Sequence, residues 1–363
     1  MPIRLVAQTP VVSASLNHQK PGEFLFDSGA VNSITPETAR QLGLKVEWGF
    51  GGVGLGNSSF EVGRTQISSI QIGGVTLRNQ TFSVVTLPYA ATHGFQPGIV
   101  GTLGYELLKT LAVKIDYDHK TLTLSDGRSF HYTGHGVTVP FFFRGTQPVV
   151  EGTIDGISGT FRIDTGSDAS LSLFSPFVKR SALTESLSAH LRGFAGEGVG
   201  GPETALFVRS QTLSLGGIQV HNVVTELLED SEGIGADGED AGNVGTGTLK
   251  QFNITFDYPH HTLYFDKNAN FGEPDLFNRS GLAVQIKPEG IIVASVLKDS
   301  PAEKAGIVAG DRIIAIDGST GDQISAERLF DVFWEQPCGT VVRLSIGHLG
   351  ATRNVDIELR DIL

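Results

Sequence analysis

The chain is poor in cysteine, in long apolar runs and in basic residues. Its one cysteine, Cys338, allows neither an internal disulfide nor a cysteine-based zinc site. No apolar run approaches the ~20 residues of a membrane span, and the first residues lack the apolar core of a signal peptide. The net charge of -12 lacks the basic footprint of general nucleic-acid binding. We therefore expect no transmembrane segment and no nucleic-acid partner, in a cytosolic protein or in a trimmed mature form.

Glycine, in contrast, is abundant, with 46 residues and no collagen-like period. Glycine-rich turns separate short runs of Val, Ile, Leu, Phe and Thr, a pattern typical of β structure. The hydrophobic fraction of 40% and the charged fraction of 18% are those of a globular protein. A length of 363 residues favours two or three domains, so the sequence predicts a mainly β protein of several domains.

One short pattern occurs twice: a strand-forming run ends in an aspartate, a hydroxyl residue and a glycine. It fills residues 24–30 and residues 161–167, and places Asp27 and Asp164 137 positions apart (164 minus 27). A single copy would be interpreted as an Asx-turn closing a hairpin. A second copy in similar surroundings changes that interpretation.

Six features recur in the same order around the two copies, which indicates an internal duplication. They are a first hairpin, a short helix, a glycine-dense loop, two strands joined by Gly-Gly, a glycine element with a short helix, and a closing hairpin. We predict one lobe over residues 1–132 and a second over 133–270. A linker at about 268–279 then leads to a separate unit, 279–363.

The acidic segment 226–240 has no counterpart in the first half. Its residues fit the ligand spacing of a calcium loop poorly. The composition favours a solvated surface loop.

Two carboxylates at tight turns can meet if the two halves pack about a pseudo-twofold axis. At close range both cannot ionise, so they share one proton. One then acts as general base on a water molecule, and the other protonates a carbonyl oxygen. Ser28 and Thr165 would hydrogen-bond across the axis, and Gly29 and Gly166 would point N–H groups at the carboxylates. The pattern predicts metal-free amide hydrolysis without a covalent intermediate.

Residues 27–30 and 164–167 resemble the paired active-site motifs of retropepsin-like and pepsin-like aspartic proteases. Each is followed by a segment similar to the family's apolar-apolar-Gly element, at 99–101 and at 243–245, where Asn243 departs from the apolar pattern. The resemblance covers about residues 5–267. It implies two homologous β-barrel lobes about a pseudo-twofold axis, a polypeptide substrate in the interlobe cleft, and no cofactor or metal. It implies catalytic Asp27 and Asp164, with the active-site loops supported by Ser28, Gly29, Ala30, Thr165, Gly166, Ser167, Gly101 and Gly245.

By the same resemblance, the glycine-dense loops 49–57 and 193–201 would be flaps over the cleft. The tyrosine of pepsin-like flaps has no clear match, and Trp48 or Phe50 is the candidate substitute. The alternative is a pair of plain mobile hairpin tips.

The two motifs differ at their last residue, which is Ser167 after Asp164 and Ala30 after Asp27. A hydroxyl can donate a hydrogen bond to a nearby carboxylate, and such a bond lowers the pKa of the carboxyl. The difference gives the hypothesis that Asp164 is the more acidic partner and that Asp27 holds the proton.

The third unit resembles a PDZ domain of the bacterial, circularly permuted type. Residues 281–284 are similar to the carboxylate-binding loop, and residues 300–306 and 310–318 are close to the family's most recognisable signature. The resemblance implies a β-sandwich or barrel with two helices. A peptide C-terminus would add as a strand against the helix at 326–334. The implied peptide-binding residues are Gly281, Leu282, Ala283, Val284 and Leu329.

The leading interpretation is a bilobal aspartic endopeptidase whose PDZ domain recruits substrates or partners. Two alternatives stay open: a non-catalytic peptide-binding protein on the same scaffold, and a site formed only in a dimer. Enzymes of this build are often extracytoplasmic. The resemblance therefore favours a periplasmic or secreted location, and a cytoplasmic one stays possible.

Overall fold

The computed structural model describes residues 1–363 except 53, 55, 57 and 187–190. Strands make up 49% of it and helices 14%. The predicted mainly β fold with two similar lobes and a PDZ domain is confirmed. The boundaries at 132, 133, 270 and 279 stay predictions.

The first lobe is one eight-stranded sheet that curls because β2 also pairs with β6. Its strands are β1 (Arg4–Val6), β2 (Thr9–Leu16), β3 (Gly22–Phe26), β4 (Ser33–Ile34), β5 (Glu47–Gly52), β6 (Phe60–Ile72), β7 (Val75–Val84) and β8 (Ile99–Leu103). Its helices are α1 (Pro36–Gln41), α2 (Tyr89–His93) and α3 (Tyr105–Leu108). Helix α1 starts as predicted, because the Thr35 hydroxyl accepts the Thr38 N–H and Pro36 occupies the first turn.

The chain then runs through β9 (Leu111–Asp116), β10 (Thr121–Asp126) and β11 (Val137–Pro140) into the second lobe. The strands there are β12 (Phe142–Arg144), β13 (Gln147–Ile154), β14 (Ile157–Ile163), β15 (Leu171–Leu173), β16 (Leu191–Gly198), β17 (Gly201–Leu215), β18 (Ile218–Leu228) and β19 (Gly242–Val244), followed by β20 (Phe252–Asp257) and β21 (Thr262–Lys267). Its helices are α4 (Ser175–Ser181), α5 (Leu183–Ser186) and α6 (Thr246–Leu249).

The two lobes have the same strand order. It is β1-β2-β3-β8-β4-β7-β6-β5 in the first and β12-β13-β14-β19-β15-β18-β17-β16 in the second. The extra β2–β6 pairing also recurs, as β13–β17. This identity of topology confirms the duplication inferred from the sequence.

A five-stranded sheet, in the order β10-β9-β20-β21-β11, joins the lobes beneath the two large sheets. Strands β9 and β20 pair antiparallel across the pseudo-twofold axis, with Ile115 opposite Ile254 and Val113 opposite Phe256. All four side chains are buried in one core that extends through both lobes. The two halves therefore fold against one another.

The C-terminal unit has a core of its own, built from residues 282–359. Its strands are β22 (Leu282–Lys287), β23 (Gly290–Val296), β24 (Arg312–Ile316), β25 (Ser319–Thr320), β26 (Val341–His348) and β27 (Ala351–Glu358). Its helices are α7 (Pro301–Lys304) and α8 (Ala326–Phe330), and a π-helical turn, Asp331–Glu335, continues α8. Strand β22 forms one edge of the sheet, beside β23.

The segment predicted as a linker is anchored to the second lobe. The Asp275 carboxylate accepts the Ser170 hydroxyl at 2.8 Å and the Val224 N–H at 2.7 Å. The rings of Phe277 and Phe207 lie 5.2 Å apart. These contacts hold the segment that connects the second lobe to the PDZ domain against the second lobe.

The acidic segment is only partly the solvated loop that its composition predicts. Asp240 has no exposed surface, and it binds Arg162, which is 4% exposed, and Arg144. Asp237 pairs with the same Arg162 guanidinium. The prediction was wrong for these carboxylates, because their arginine partners lie far away in sequence.

Among the described residues no helix is long and apolar enough to cross a membrane.

Candidate active site

Both aspartates lie where a strand ends beside a parallel neighbour. Strand β3 ends one residue before Asp27, whose N–H donates to the Leu103 carbonyl at 2.9 Å. Strand β14 ends one residue before Asp164, whose N–H donates to the Val244 carbonyl at 3.0 Å. The same backbone connection in both lobes presents the two carboxylates symmetrically at the lobe interface.

Four buried hydrogen bonds lock the two aspartate loops together. The Ser28 N–H donates to Thr165 Oγ1 at 2.9 Å, and the Thr165 N–H donates to Ser28 Oγ at 3.0 Å. The Ser28 hydroxyl donates to the Ile163 carbonyl, and the Thr165 hydroxyl to the Phe26 carbonyl, each at 2.7 Å. Ser28 and Thr165 have no exposed surface, so these bonds join the lobes without competition from water.

The glycine after each hydroxyl residue serves both carboxylates. The Gly29 N–H donates to Asp27 Oδ1 and the Gly166 N–H to Asp164 Oδ1, each at 2.9 Å. A Cβ on Gly166 would lie 2.3 Å from Asp27 Cγ, and one on Gly29 would lie 2.7 Å from Asp164 Cγ. Only glycine leaves room for the opposite carboxylate at these two positions.

The two carboxyl groups lie close enough for each to change the pKa of the other. Burial raises the pKa of Asp27 well above its ordinary value, and the nearby charge of Asp164 raises it further. Burial also raises the pKa of Asp164, but the Gly166 N–H, the bond from Asp27 and the positive charge of Arg162 act in the opposite direction. Since the pKa of both carboxyls is raised, the pair is arranged to hold one proton.

A further group reaches Asp164 alone. The Asn243 amide Nδ2–H donates to Asp164 Oδ2 at 3.0 Å, and Asn243 is 3% exposed. The predicted donor, the Ser167 hydroxyl, makes no such bond among the described residues. Ser167 acts through its backbone N–H instead. The acidity order expected from the sequence stays a prediction, and the side chain that donates to Asp164 is an amide rather than the predicted hydroxyl.

The glycine element of the first lobe lies three residues later than predicted. Gly101 lies opposite Phe24, as Gly242 lies opposite Phe161. The counterpart of Gly245 is therefore Gly104 (101 plus 3, as 242 plus 3). A Cβ on Gly104 would lie 2.2 Å from the Ala30 carbonyl oxygen, and one on Gly245 would lie 2.3 Å from that of Ala169. Gly101 packs against β4 instead: a Cβ on Gly101 would lie 2.0 Å from the Ser33 carbonyl oxygen.

Two hairpins, β5–β6 and β16–β17, contain the glycine-dense loops, and their tips meet. The Ser58 N–H donates to the Gly200 carbonyl at 2.9 Å, and the Ile234 N–H donates to the Gly54 carbonyl at 3.1 Å. Residues 53, 55 and 57 of the first predicted flap lie outside the described residues.

The candidate flap aromatics contact their own hairpin. Phe50 packs under the Arg64 guanidinium at 4.0 Å, and Trp48 lies beside Gly63 and is 48% exposed. Neither contact places the ring against the carboxylates.

Sequence reasoning missed two groups beside the aspartate loops. The Tyr258 hydroxyl donates to the Ser28 carbonyl at 3.1 Å, and Gln147 Nε2 donates to the Gly29 carbonyl at 2.8 Å. Tyr258 follows Asp257 as Tyr117 follows Asp116, so the repeated Asp-Tyr pair was a usable signal. Gln147 carries no such pattern.

The predicted carboxylate-binding loop of the PDZ domain is held by its own side chains. The Gly281 N–H donates to Asn278 Oδ1 at 2.9 Å, and the Leu282 N–H donates to Ser280 Oγ at 3.0 Å. Leu282 and Leu329 are 1% and 5% exposed, within the core of the unit.

The edge of β22 that would receive a peptide contacts the first lobe at the end of β22 far from the predicted carboxylate-binding loop. Gly94, which follows α2, lies beside Ile286 of β22, and its carbonyl accepts the Ala326 N–H of α8 at 2.9 Å. The segment that ends at Gly94 thus lies between the two elements that would hold a peptide. Ala283 and Val284, nearer the loop, are half-buried.

In the described part of the chain no group of three or more His, Cys, Asp or Glu side chains could hold a metal ion.

Comparisons with known proteins match two parts of the chain to known families. Residues 12–107 match the family model described as aspartyl protease, and residues 274–346 match the PDZ domain model. The carboxy-terminal-processing protease of Bartonella bacilliformis is 34% identical over 110 residues, which are 28% of this chain and 25% of that protein. The chain thus spans about a quarter of that curated relative. The crystal structure of aspartic proteinase from Irpex lacteus aligns with 14% identity and a TM-score of 0.46, over 75% of this chain and 98% of that one.

The chain therefore carries an aspartyl protease domain in its N-terminal part and a PDZ domain at its C-terminus.

Proposed function

We propose that the protein is an aspartic endopeptidase that hydrolyses peptide bonds of extended polypeptides with a water activated between Asp27 and Asp164. The observation that carries the proposal is the mutual fit of the two half-sites. Each glycine leaves space for the other lobe's carboxylate, and Ser28 and Thr165 bind reciprocally across the axis. Neither half completes a site alone.

The chemistry follows from one shared proton. The ionised carboxylate takes a proton from water as the water oxygen bonds to the peptide carbonyl carbon, and the protonated carboxyl gives its proton to the carbonyl oxygen. The tetrahedral intermediate then collapses as the C–N bond breaks and the leaving amine receives a proton. The two hairpins whose tips meet would enclose an extended polypeptide beneath them.

The PDZ domain would bind a peptide C-terminus along β22, with Gly281, Leu282, Ala283, Val284 and Leu329 at the site. Because the segment ending at Gly94 closes the far end of the groove, only a short C-terminal stretch fits while that contact holds. Such binding would recruit substrates or partners to the enzyme.

The test is cleavage of an unfolded protein at mildly acidic pH, with and without pepstatin. The full chain should cleave it, pepstatin should block cleavage, and Asp27→Asn and Asp164→Asn should each lose at least ~100-fold in kcat/KM. Asp155→Asn is the matched control. Its φ of 48° suits asparagine, and an asparagine Oδ1 can still accept the Thr212 N–H.

Equal rates for the wild-type chain and Asp164→Asn would refute the proteolytic function. Absence of cleavage together with tight peptide binding would instead support the non-catalytic alternative.

A further inference from the structure

Asn243 occupies an unusual place for an amide side chain. It lies on β19, opposite Arg162 of β14 and Ser172 of β15, and is 3% exposed. Its Nδ2 lies 3.0 Å from Asp164 Oδ2, while its Oδ1 is buried without a hydrogen-bond partner. An unpaired buried amide oxygen lowers the stability of the fold. The fold accepts that cost at a position adjacent to the reacting carboxylate.

The orientation of the amide depends on the charge of Asp164. An ionised carboxylate only accepts hydrogen bonds, so the amide must face it with the N–H. That donation favours the ionised form of Asp164 over the protonated one. An apolar side chain at position 243, as in the apolar-apolar-Gly pattern, would neither donate a hydrogen bond to Asp164 nor favour its ionised form.

In the described part of the first lobe no side chain donates to Asp27 in this way. The counterpart of Asn243 is Thr102, whose hydroxyl donates to the Val31 carbonyl at 2.9 Å and pairs with Ser33. The counterpart of Arg162 is Leu25, one residue after Phe24 as Arg162 follows Phe161. Both differences favour a negative charge on the second lobe's aspartate.

The charged and titratable groups around Asp164 are few. Asp27 faces it across the axis, the Arg162 charge acts from β14, and Tyr258 lies beneath both carboxylates. Tyr258 stays neutral, because burial and the two carboxylates raise its pKa well above the ordinary value. Arg162 is itself paired with Asp237 and Asp240, which weakens its effect. Asn243 is the only side chain from within the second lobe with a described hydrogen bond to Asp164.

We propose that Asn243 is a positioning residue of the pair: its amide N–H, bound to Oδ2 of Asp164, keeps that carboxylate ionised and thereby makes Asp164 the base and Asp27 the acid. The inference rests on the proposed function. In the first step the water proton passes to Asp164 and the Asp27 proton passes to the carbonyl oxygen. The pair still holds one proton, now on Asp164. As the C–N bond breaks, Asp164 gives that proton to the leaving amine, and Asp27 takes a proton back from a hydroxyl of the intermediate, which becomes the product carboxyl group.

The order of acidity can be measured without turnover. The full chain is labelled with ¹³C at aspartate carboxyls, and the carboxyl shifts are followed against pH in Asp27→Asn and in Asp164→Asn. Asp164 is the remaining aspartate of the pair in Asp27→Asn, and Asp27 is the remaining one in Asp164→Asn. We expect the midpoint of Asp164 in the first variant to lie at lower pH than the midpoint of Asp27 in the second. Equal midpoints or the reverse order would overturn the inference, whether or not any variant cleaves a peptide.

The role of the amide itself is tested by Asn243→Leu, which keeps the shape and removes the donor. Added to Asp27→Asn, it should raise the Asp164 midpoint by about one to two pH units. In the otherwise intact chain it should move the acidic limb of kcat/KM upward by a similar amount. The matched control is Thr102→Val in the first lobe, which should leave both limbs in place.

The outcomes separate the two claims. Suppose that Asp27→Asn and Asp164→Asn lose activity but the acidic limb of Asn243→Leu does not move. That result would contradict the role of Asn243 and leave the proposed proteolytic function intact. An equal shift in Thr102→Val would show general loosening of the site and also contradict it. If Asn243→Leu does not fold, the order of the two midpoints still decides.

Discussion

At the scale of single residues, two glycines allow two aspartates to share one space. The Cβ position of Gly166 is 2.3 Å from the carboxyl carbon of Asp27, far inside van der Waals contact. The backbone around it is held by the buried bonds of Ser28 and Thr165 and cannot easily yield. The carboxylate would have to move instead.

Gly166→Ala should therefore reduce activity much more than stability. We expect kcat/KM for an unfolded protein to fall about 100-fold, since a displacement near 1 Å at the chemistry has an effect of that size. Gly74→Ala is the control, because its Cβ position has no neighbour within 4 Å. Normal activity in Gly166→Ala would contradict the described packing of the pair.

At the scale of elements, the acidic segment between β18 and β19 acts as a clamp. Asp240, fully buried, binds Arg162 of β14 and Arg144 of β12, so it ties the segment to two strands of the lobe. Removing one partner of a buried ion pair leaves the other charge uncompensated.

Asp240→Asn should lower the free energy of unfolding by about 3 kcal/mol, as read from chemical denaturation. The control Glu239→Gln removes a carboxylate that binds the same Arg144 but is 66% exposed, and should cost under about 1 kcal/mol. Equal effects of the two substitutions would show that the burial of Asp240 is unimportant.

The second hairpin, β16–β17, contains near its tip a buried carboxyl of a different kind. Glu203 on β17 is 7% exposed, and no described hydrogen bond or ion pair holds it. Burial, followed by the charges of Glu226, Asp230 and Asp168, raises its pKa from 4.5 to about 8. The folded chain thus binds the Glu203 proton more tightly than the unfolded chain does.

The sign of the pH effect follows from linkage. The stability that comes from the Glu203 proton is complete below about pH 4.5 and is lost as the pH rises through about 8. Glu203→Gln should leave Tm unchanged at pH 4 and raise it by at least ~2 °C at pH 8.5. Glu151→Gln, on the exposed surface of β13, should change neither value. A Tm for Glu203→Gln that is lower than wild type at pH 8.5 would contradict the account.

Local sequence patterns predicted these elements well and their distant partners poorly. The duplicated Asp-hydroxyl-Gly turns, the capped α1 and the closing hairpins follow from turn chemistry and alternation within a few residues. Arg144 and Arg162 as partners of Asp240, and Asn243 as a donor to Asp164, depend on contacts across 78 or more positions. The register of Gly104 was missed because Gly101 fits the same short pattern.

At the scale of the whole molecule, the lobes form one folding unit and the PDZ domain another. One buried core extends through both lobes, and β9–β20 pairing joins their sheets. The core of residues 282–359 is separate. The units also contact one another, through the Arg4–Glu327 pair at 3.0 Å, the bond from the Phe194 N–H to Ser295 Oγ at 2.9 Å, and the packing of Gly94 beside Ile286.

Calorimetry of the full chain should therefore show two transitions. Phe256→Ala, in the lobe core, should lower the Tm of one transition only, and Leu344→Ala, in the PDZ core, should lower only the other Tm. Each substitution should reduce the free energy of unfolding of its own unit by about 3 kcal/mol. Both Tm values falling together in either variant would show that the lobes and the PDZ domain unfold as one.

The central claim is that Asp27 and Asp164 of one chain form one water-activating pair. The most direct measurement is the rate of peptide-bond cleavage by the wild-type chain, by Asp27→Asn, by Asp164→Asn, and by an equimolar mixture of the two variants. The account predicts cleavage by the wild-type chain alone, because each mixed chain keeps only one carboxylate. Cleavage restored by mixing would place the site between two chains, and cleavage by either variant alone at the wild-type rate would contradict the claim.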